Sequence, residues 1–232
     1  MSIAPSTTTA YELLRSEILH GDLMPGERLR VADLNARYKI GLTPIREALL
    51  RLTSEGLVLN ENNRGAWVRH ISVAELQDLF STRRELEANC LRMAMANRTP
   101  EWEAEILRTM HLLASAPLPH TADDREGAAR WETFHRQFHF ALVSACGSAW
   151  RLQFWNTLTD HSERYRKLRL VTASPDSSIS RDIRAEHEAI ALAVIDGDAE
   201  HALGLMDSHL RKTETVVTEL LASMAIEGGE TA

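Results

Sequence analysis

The chain has 232 residues, 44% hydrophobic and 25% charged, with a formal net charge of -7. That is the balance of a globular protein long enough for one large domain or two smaller ones. No run approaches the roughly eighteen apolar residues of a membrane span, and the opening MSIAPSTTTA lacks the basic and apolar regions of a signal peptide. Cys90 and Cys146 form no CxxC pair and sit among apolar residues, so they read as buried reduced thiols of a cytoplasmic protein.

A disordered tail over 1–8 leads into a helix over 9–20, with Leu13, Leu14, Ile18 and Leu19 facing inward. GDLMPGERL, with Gly21, Pro25 and Gly26, is a turn-rich connector. A short helix over 31–38 and the stretch KIGL precede a helix over 44–55. The start of that helix is sharply marked. Thr43 can cap the free backbone N–H groups, and Pro44 suits the first helical position, where a missing N–H costs nothing. Leu49, Leu50 and Leu52 supply apolar bulk, and Gly56 is a natural stop. LVLNENNRGAWV then shows two short apolar runs around Asn-Asn-Arg-Gly, a β-hairpin signature.

Three helices and a hairpin make a winged helix-turn-helix, whose third helix enters the DNA major groove. Arg46 lies in the first turn of that helix, poorly placed against the helix dipole. A partner outside the helix accounts for it, since arginine there can pair with guanine O6 and N7 or with a phosphate. The structural alternative is an ion pair with Glu47 or Glu55. Residues 1–71 hold nine Arg and Lys against eight Asp and Glu, a net of +1, which leaves -8 for the rest. A nucleic-acid-facing head on an acidic body fits that division.

The segments ILHGDLMPGERLRVADLNARY, TPIREALLRLTSEGLV and NRGAWV occur in this order and spacing. They resemble the winged helix of the GntR family of bacterial transcription regulators. The resemblance implies a DNA-binding domain over 9–71 and double-stranded DNA as partner. The implied contacts come from Thr43 and Arg46, with Pro44 between them, and from the wing residues Asn63, Arg64 and Gly65. Where the family has Ser-Arg before Thr-Pro, this chain has Gly41-Leu42, so one DNA-contacting arginine is absent.

From residue 72 the pattern is helical throughout. Ser72 and Glu75 form a capping box for a helix to about residue 97, and Thr99-Pro100 opens another. ASAPLPH is a linker, Thr121 with Asp124 can cap a long helix reaching Cys146-Gly147, and Ser148 starts the next. TASPDSSIS is a loop, and two further helices flank Asp196-Gly197-Asp198. Six helices with apolar stripes imply one bundle core over 72–225, and 226–232 form a disordered tail. The expected fold is mainly α: a winged helix-turn-helix of three helices and a β-hairpin, then an all-α bundle of about six helices.

Histidines mark the bundle. Trp131, Phe134, Phe138, Leu142 and Val143 define the inward face of its third helix, and His135 and His139 fall on that face one turn apart. His187 lies in the stripe Ile183, Ile190, Val194, and His209 in the stripe Ala202, Leu205, Met206, Leu210, Val217. His187 stands nine residues before Asp196 and His209 eleven after Asp198. At about 1.5 Å per residue both are roughly 14–17 Å from the turn, so a helical hairpin holds the two imidazoles at one level. Buried carboxylates or waters could satisfy such rings singly, but four inward imidazoles point to a divalent metal ion as cofactor. Imidazole nitrogen suits zinc, nickel, copper or iron, with zinc or nickel foremost. The other six histidines show no such geometry and read as surface groups.

RRELE, FHFALVSACGS, EHEAI and MDSHL resemble the ligand-sensing helical domain (FCD) attached to GntR winged helices in the FadR-like subgroup. The resemblance implies a divalent metal bound by an acidic or amide residue and three histidines. His139, His187 and His209 match the three, and His135 stands at the first position. The block RYKIGLTPIREAL is also similar to that of the branch repressing glutarate and 4-aminobutyrate utilisation genes.

Arg83 shares the inward line of its helix with Leu76, Phe80, Glu87 and Cys90. A buried arginine needs anionic partners. Glu87 is one, in the less favourable orientation; a ligand carboxylate held at two points is the other. The expected effector is therefore a small carboxylate, dicarboxylates included. The expected function is transcription regulation by a homodimeric repressor on a palindromic operator, without enzymatic activity. A di-iron bundle enzyme needs paired Glu-x-x-His motifs, and the chain has a single one, Glu132 to His135. A pure protein-interaction module would need neither recognition helix nor wing.

Overall fold

The computed structural model describes residues 7–61, 65–118, 124–172 and 182–229. The chain forms two compact units, Met1–Ser72 and Val73–Ala232, each with its own apolar cluster. Among the described residues no helix is long and apolar enough to cross a membrane.

In the first unit, α1 (Thr7–His20), α2 (Val31–Tyr38) and α3 (Leu42–Ser54) surround a core that includes Leu14, Ile18, Leu34, Ile45 and Leu52. A three-stranded antiparallel sheet completes it, in the order β1 (Arg28–Leu29), β3 (Gly65–Val68), β2 (Val58–Glu61). Val58 faces Val68 and Glu61 faces Gly65, which is the hairpin read from sequence. Strand β1 falls inside the stretch read as a connector. Two residues carry no alternation of their own, and β1 exists through its pairing of Arg28 with Trp67 and Leu29 with Ala66.

The start of α3 differs from the expectation. The helix begins at Leu42, and its N-cap is Gly41 at φ 110°, with no side-chain cap. Thr43 is therefore inside the helix. Glycine tolerates that positive φ, and the Asn35 side-chain oxygen accepts the Gly41 N–H at 2.8 Å. The turn after α2 sets the helix start, not a threonine hydroxyl. Pro44 remains in the first turn, where its missing N–H is harmless. Leu50, read as apolar bulk, is 62% exposed; the buried face is Ile45, Ala48, Leu49 and Leu52.

The second unit is a bundle of α4 (Val73–Ala96), α5 (Pro100–Ser115), α6 (Arg125–Val143), α7 (Ala149–Thr172), α8 (Ile183–Asp196) and α9 (Ala199–Gly229). Thr99 caps α5 by accepting the Trp102 N–H, with Pro100 at the helix start. Asp124 alone caps α6; Thr121 lies outside the described residues. Helix α6 stops at Val143 and a 3-10 turn, Ser144–Cys146, follows. Gly197, left-handed at φ 80°, closes α8 and turns the chain into α9. Helix α9 runs to Gly229, past the expected end at 225, as Met224, Ala225 and Glu227 are good helix formers.

Candidate functional site

Helices α6, α8 and α9 bring four buried histidines together: His135 and His139 from α6, His187 from α8 and His209 from α9. Each offers a ligand atom, and these atoms lie within 4.8 Å of one another. Ring centroids are 4.5 to 6.4 Å apart over all six pairs. The distance argument across Gly197 is met, with the His187 and His209 centroids 4.6 Å apart.

Carboxylates stand behind three of the rings. Glu186 accepts from or faces His209 Nδ1 at 2.9 Å, and Lys212 donates to its other oxygen at 3.0 Å. Glu132 lies 3.6 Å from His135 Nδ1 and Glu87 lies 3.8 Å from His139 Nδ1. Both distances are too long for a hydrogen bond, and these two Nδ1 atoms have no such partner. Across the cluster, His139 Nε2 and His187 Nε2 stand 3.3 Å apart. Burial, above all, pushes the pKa of His135 well down, with the adjacent His139 adding to it, and burial lowers His139 too. Both rings are therefore neutral, the form that ligates a metal.

The donor set fits a divalent ion. Zinc–nitrogen bonds of about 2.0–2.1 Å in a tetrahedral site separate the nitrogens by about 3.3 Å, the spacing found between His139 and His187. Carboxylates facing Nδ1 are the usual support for a metal-bound imidazole.

A buried ionic layer adjoins the cluster. Arg83 is 2% exposed; it donates to Glu87 at 3.3 Å and to the Ser162 hydroxyl at 2.7 Å. Arg166 donates to the same hydroxyl at 3.0 Å and pairs with Glu132. Burial penalises the Glu87 carboxylate, yet the Arg83 charge and His139 bring its pKa to about 2. In Glu132, burial is likewise outweighed by Arg166, which holds the carboxyl well below its ordinary value. A cavity of about 330 Å³ reaches His187, lined also by Met110, Leu113, Leu118, Trp131 and Ile183, with the exposed Arg184 on its wall. Trp131 stacks on His135 at 4.6 Å.

In the first unit, Thr43 and Arg46 are exposed on α3. Glu55 is engaged by Tyr11, Arg15 and Arg51. Arg46 makes no hydrogen bond or ion pair among the described residues. Gly65, exposed, begins β3, and the Arg28 guanidinium lies 5.4 Å from the Trp67 ring beside it. Asn63 and Arg64 lie outside the described residues.

Sequence comparison agrees with both halves. The pattern of the gntR family of bacterial regulatory proteins matches residues 6–68, and the FCD domain matches residues 78–212. The chain is 34% identical over 209 residues to the uncharacterized HTH-type transcriptional regulator BphR of Paraburkholderia xenovorans, covering 90% of this chain and 84% of that one. It belongs to the GntR family, with an FCD domain. The HTH-type transcriptional repressor GlaR of Escherichia coli is 33% identical over 212 residues, or 91% of this regulator and 96% of GlaR. Among solved structures, E. coli McbR/YncC superposes with a TM-score of 0.74 at 20% identity, covering 94% of this regulator and all but 1% of McbR/YncC, and so shares the fold. The family and these relatives are transcription regulators, which sets the enzyme alternative aside.

Sequence reasoning named the four histidines, Arg83 and Arg46. It missed Arg166, Ser162 and Glu186 as partners. Arg166 stands among Arg164, Lys167 and Arg169 on one helix, and nothing in that run marks which cation turns inward.

Proposed function

We propose that this regulator is a cytoplasmic repressor that binds a palindromic operator as a homodimer. Its FCD domain holds one divalent metal ion, zinc or nickel, and answers to a small carboxylate effector. The observation that carries the reading is the convergence of four buried imidazoles from three helices within 4.8 Å. His135, His139, His187 and His209 would hold the ion. A bound ion would tie α6, α8 and α9 together and offer positive charge to an anionic ligand.

Two features support an anion. Arg83 and Arg166 both donate to one neutral acceptor, Ser162 Oγ, and the charge of Arg166 lowers the Arg83 pKa after burial itself. A carboxylate satisfies two guanidinium groups better than a shared hydroxyl does. The cavity at His187 gives access from the other elements of the bundle. On DNA, Thr43, Pro44, Arg46 and the wing residues Asn63, Arg64 and Gly65 would make the contacts, and two-fold symmetry would place two copies of α3 in successive major grooves. An effector shifts such a system only by binding one arrangement better than the other.

Thermal-shift measurements with zinc or nickel, then with short mono- and dicarboxylates, test this reading, followed by gel shifts with the hits. Stabilisation by metal and release of DNA by a carboxylate are expected. No response to any metal would return the histidines to a core-packing role.

A further inference from the structure

Helix α3 presents Leu42, Arg46 and Leu50 at four-residue intervals, a spacing that lines them up along one face. Leu42 is 46% exposed and Leu50 62% exposed. Neither belongs to the apolar cluster of the first unit, whose contacts from this helix are Ile45, Ala48, Leu49 and Leu52. Folding therefore does not account for a large aliphatic side chain at position 42. Leu42 is also the first residue of the helix, at the tip that meets base edges when a helix-turn-helix docks. The free guanidinium of Arg46 follows one turn later on the same face.

The apolar group that DNA offers in the major groove is the C5-methyl of thymine. We infer that Leu42 reads this methyl group. Leu42 and Arg46 are separated by about 6 Å along the helix, roughly two base steps of duplex. The thymine would thus lie within about two base pairs of the base or phosphate that Arg46 contacts. A side chain that is awkward in water gains an apolar partner on the operator and meets only polar edges at G·C pairs. The absence of the family's arginine at this position becomes an exchange of readout, from a charged contact to a methyl contact. The inference rests on α3 being the helix that enters the groove.

The test uses the full chain and duplexes selected from a randomised pool. In the selected operator each thymine is replaced in turn by deoxyuridine, which removes the methyl group and leaves every hydrogen-bonding edge intact. One thymine per half-site should weaken wild-type binding about fourfold when replaced, and about fifteenfold when replaced in both half-sites. Leu42→Ala, a substitution at an exposed site, should bind the thymine and uracil operators equally. Arg46→Ala separates the two layers of the argument. If Arg46→Ala keeps wild-type specificity, α3 is not the reading helix and both the assignment and the inference fall. If Arg46→Ala loses specificity while no thymine discriminates from uracil, or Leu42→Ala retains the full discrimination, the role of Leu42 alone is overturned.

Discussion

Replacing Arg83 by methionine removes the cation from a sealed pair. Arg83 is 2% exposed and Glu87 fully buried, with 3.3 Å between Arg83 Nε and Glu87 Oε2. The second oxygen of Glu87 has no hydrogen-bond partner, so nothing nearby replaces the lost guanidinium. Removing one member of a buried pair costs about 3–5 kcal/mol. At roughly 2–4 °C per kcal/mol for a chain of this size, the melting temperature should fall by about 6–20 °C at pH 7. The pH dependence has a defined sign. Glu87 has its folded pKa depressed to about 2, so its contribution is present above the unfolded value of about 4.5 and is lost as pH falls toward 2. The gap between wild type and Arg83→Met should therefore narrow below about pH 4.5. Arg83→Met combined with Glu87→Gln should recover most of the loss, since no charge is then stranded. Circular-dichroism melts of the three variants at pH 7 and pH 4 give the answer. A melting temperature within about 2 °C of wild type for Arg83→Met alone would refute the stranded-charge argument.

Other perturbations address the remaining links. Arg46→Ala should cost about 1–3 kcal/mol of operator discrimination in a gel-shift titration if the arginine reads a base; equal discrimination would count against that contact. Leu42→Arg should strengthen binding to any duplex and steepen the dependence of log K on log salt, because a further phosphate contact releases a further counterion; an unchanged slope would mean that Leu42 does not face DNA. Glu186→Gln should weaken metal binding about 10–100-fold in a competition titration with a chelating dye, since Glu186 orients His209 at 2.9 Å. Wild-type affinity in that variant would remove Glu186 from the account.

Much of this was legible in sequence because punctuation and period are local. Gly56 and the Asn-Asn-Arg-Gly turn delimit the helix and hairpin of the first unit by backbone preference alone. His135 and His139 share a face by spacing, and the Gly197 turn fixes the level of His187 against His209. Other features depend on contacts across the chain. Gly41, not Thr43, caps α3 because Asn35 reaches over from the preceding helix. Strand β1 is created by its partner. In α7, charged residues such as Glu163, Arg164 and Arg166 are buried together on a helix with no narrow apolar stripe. The choice of Arg166 as partner of Glu132 and Ser162 is therefore made by α4 and α6, not by its own sequence neighbours.

The central claim is that four imidazoles form a metal centre. Elemental analysis of the protein purified without an affinity tag or chelator tests it most directly, alongside His187→Ala and His209→Ala prepared identically. The account predicts about one divalent ion per wild-type chain and loss of that ion in both variants. A wild-type chain that carries no metal, and takes up none from added zinc or nickel, would contradict it.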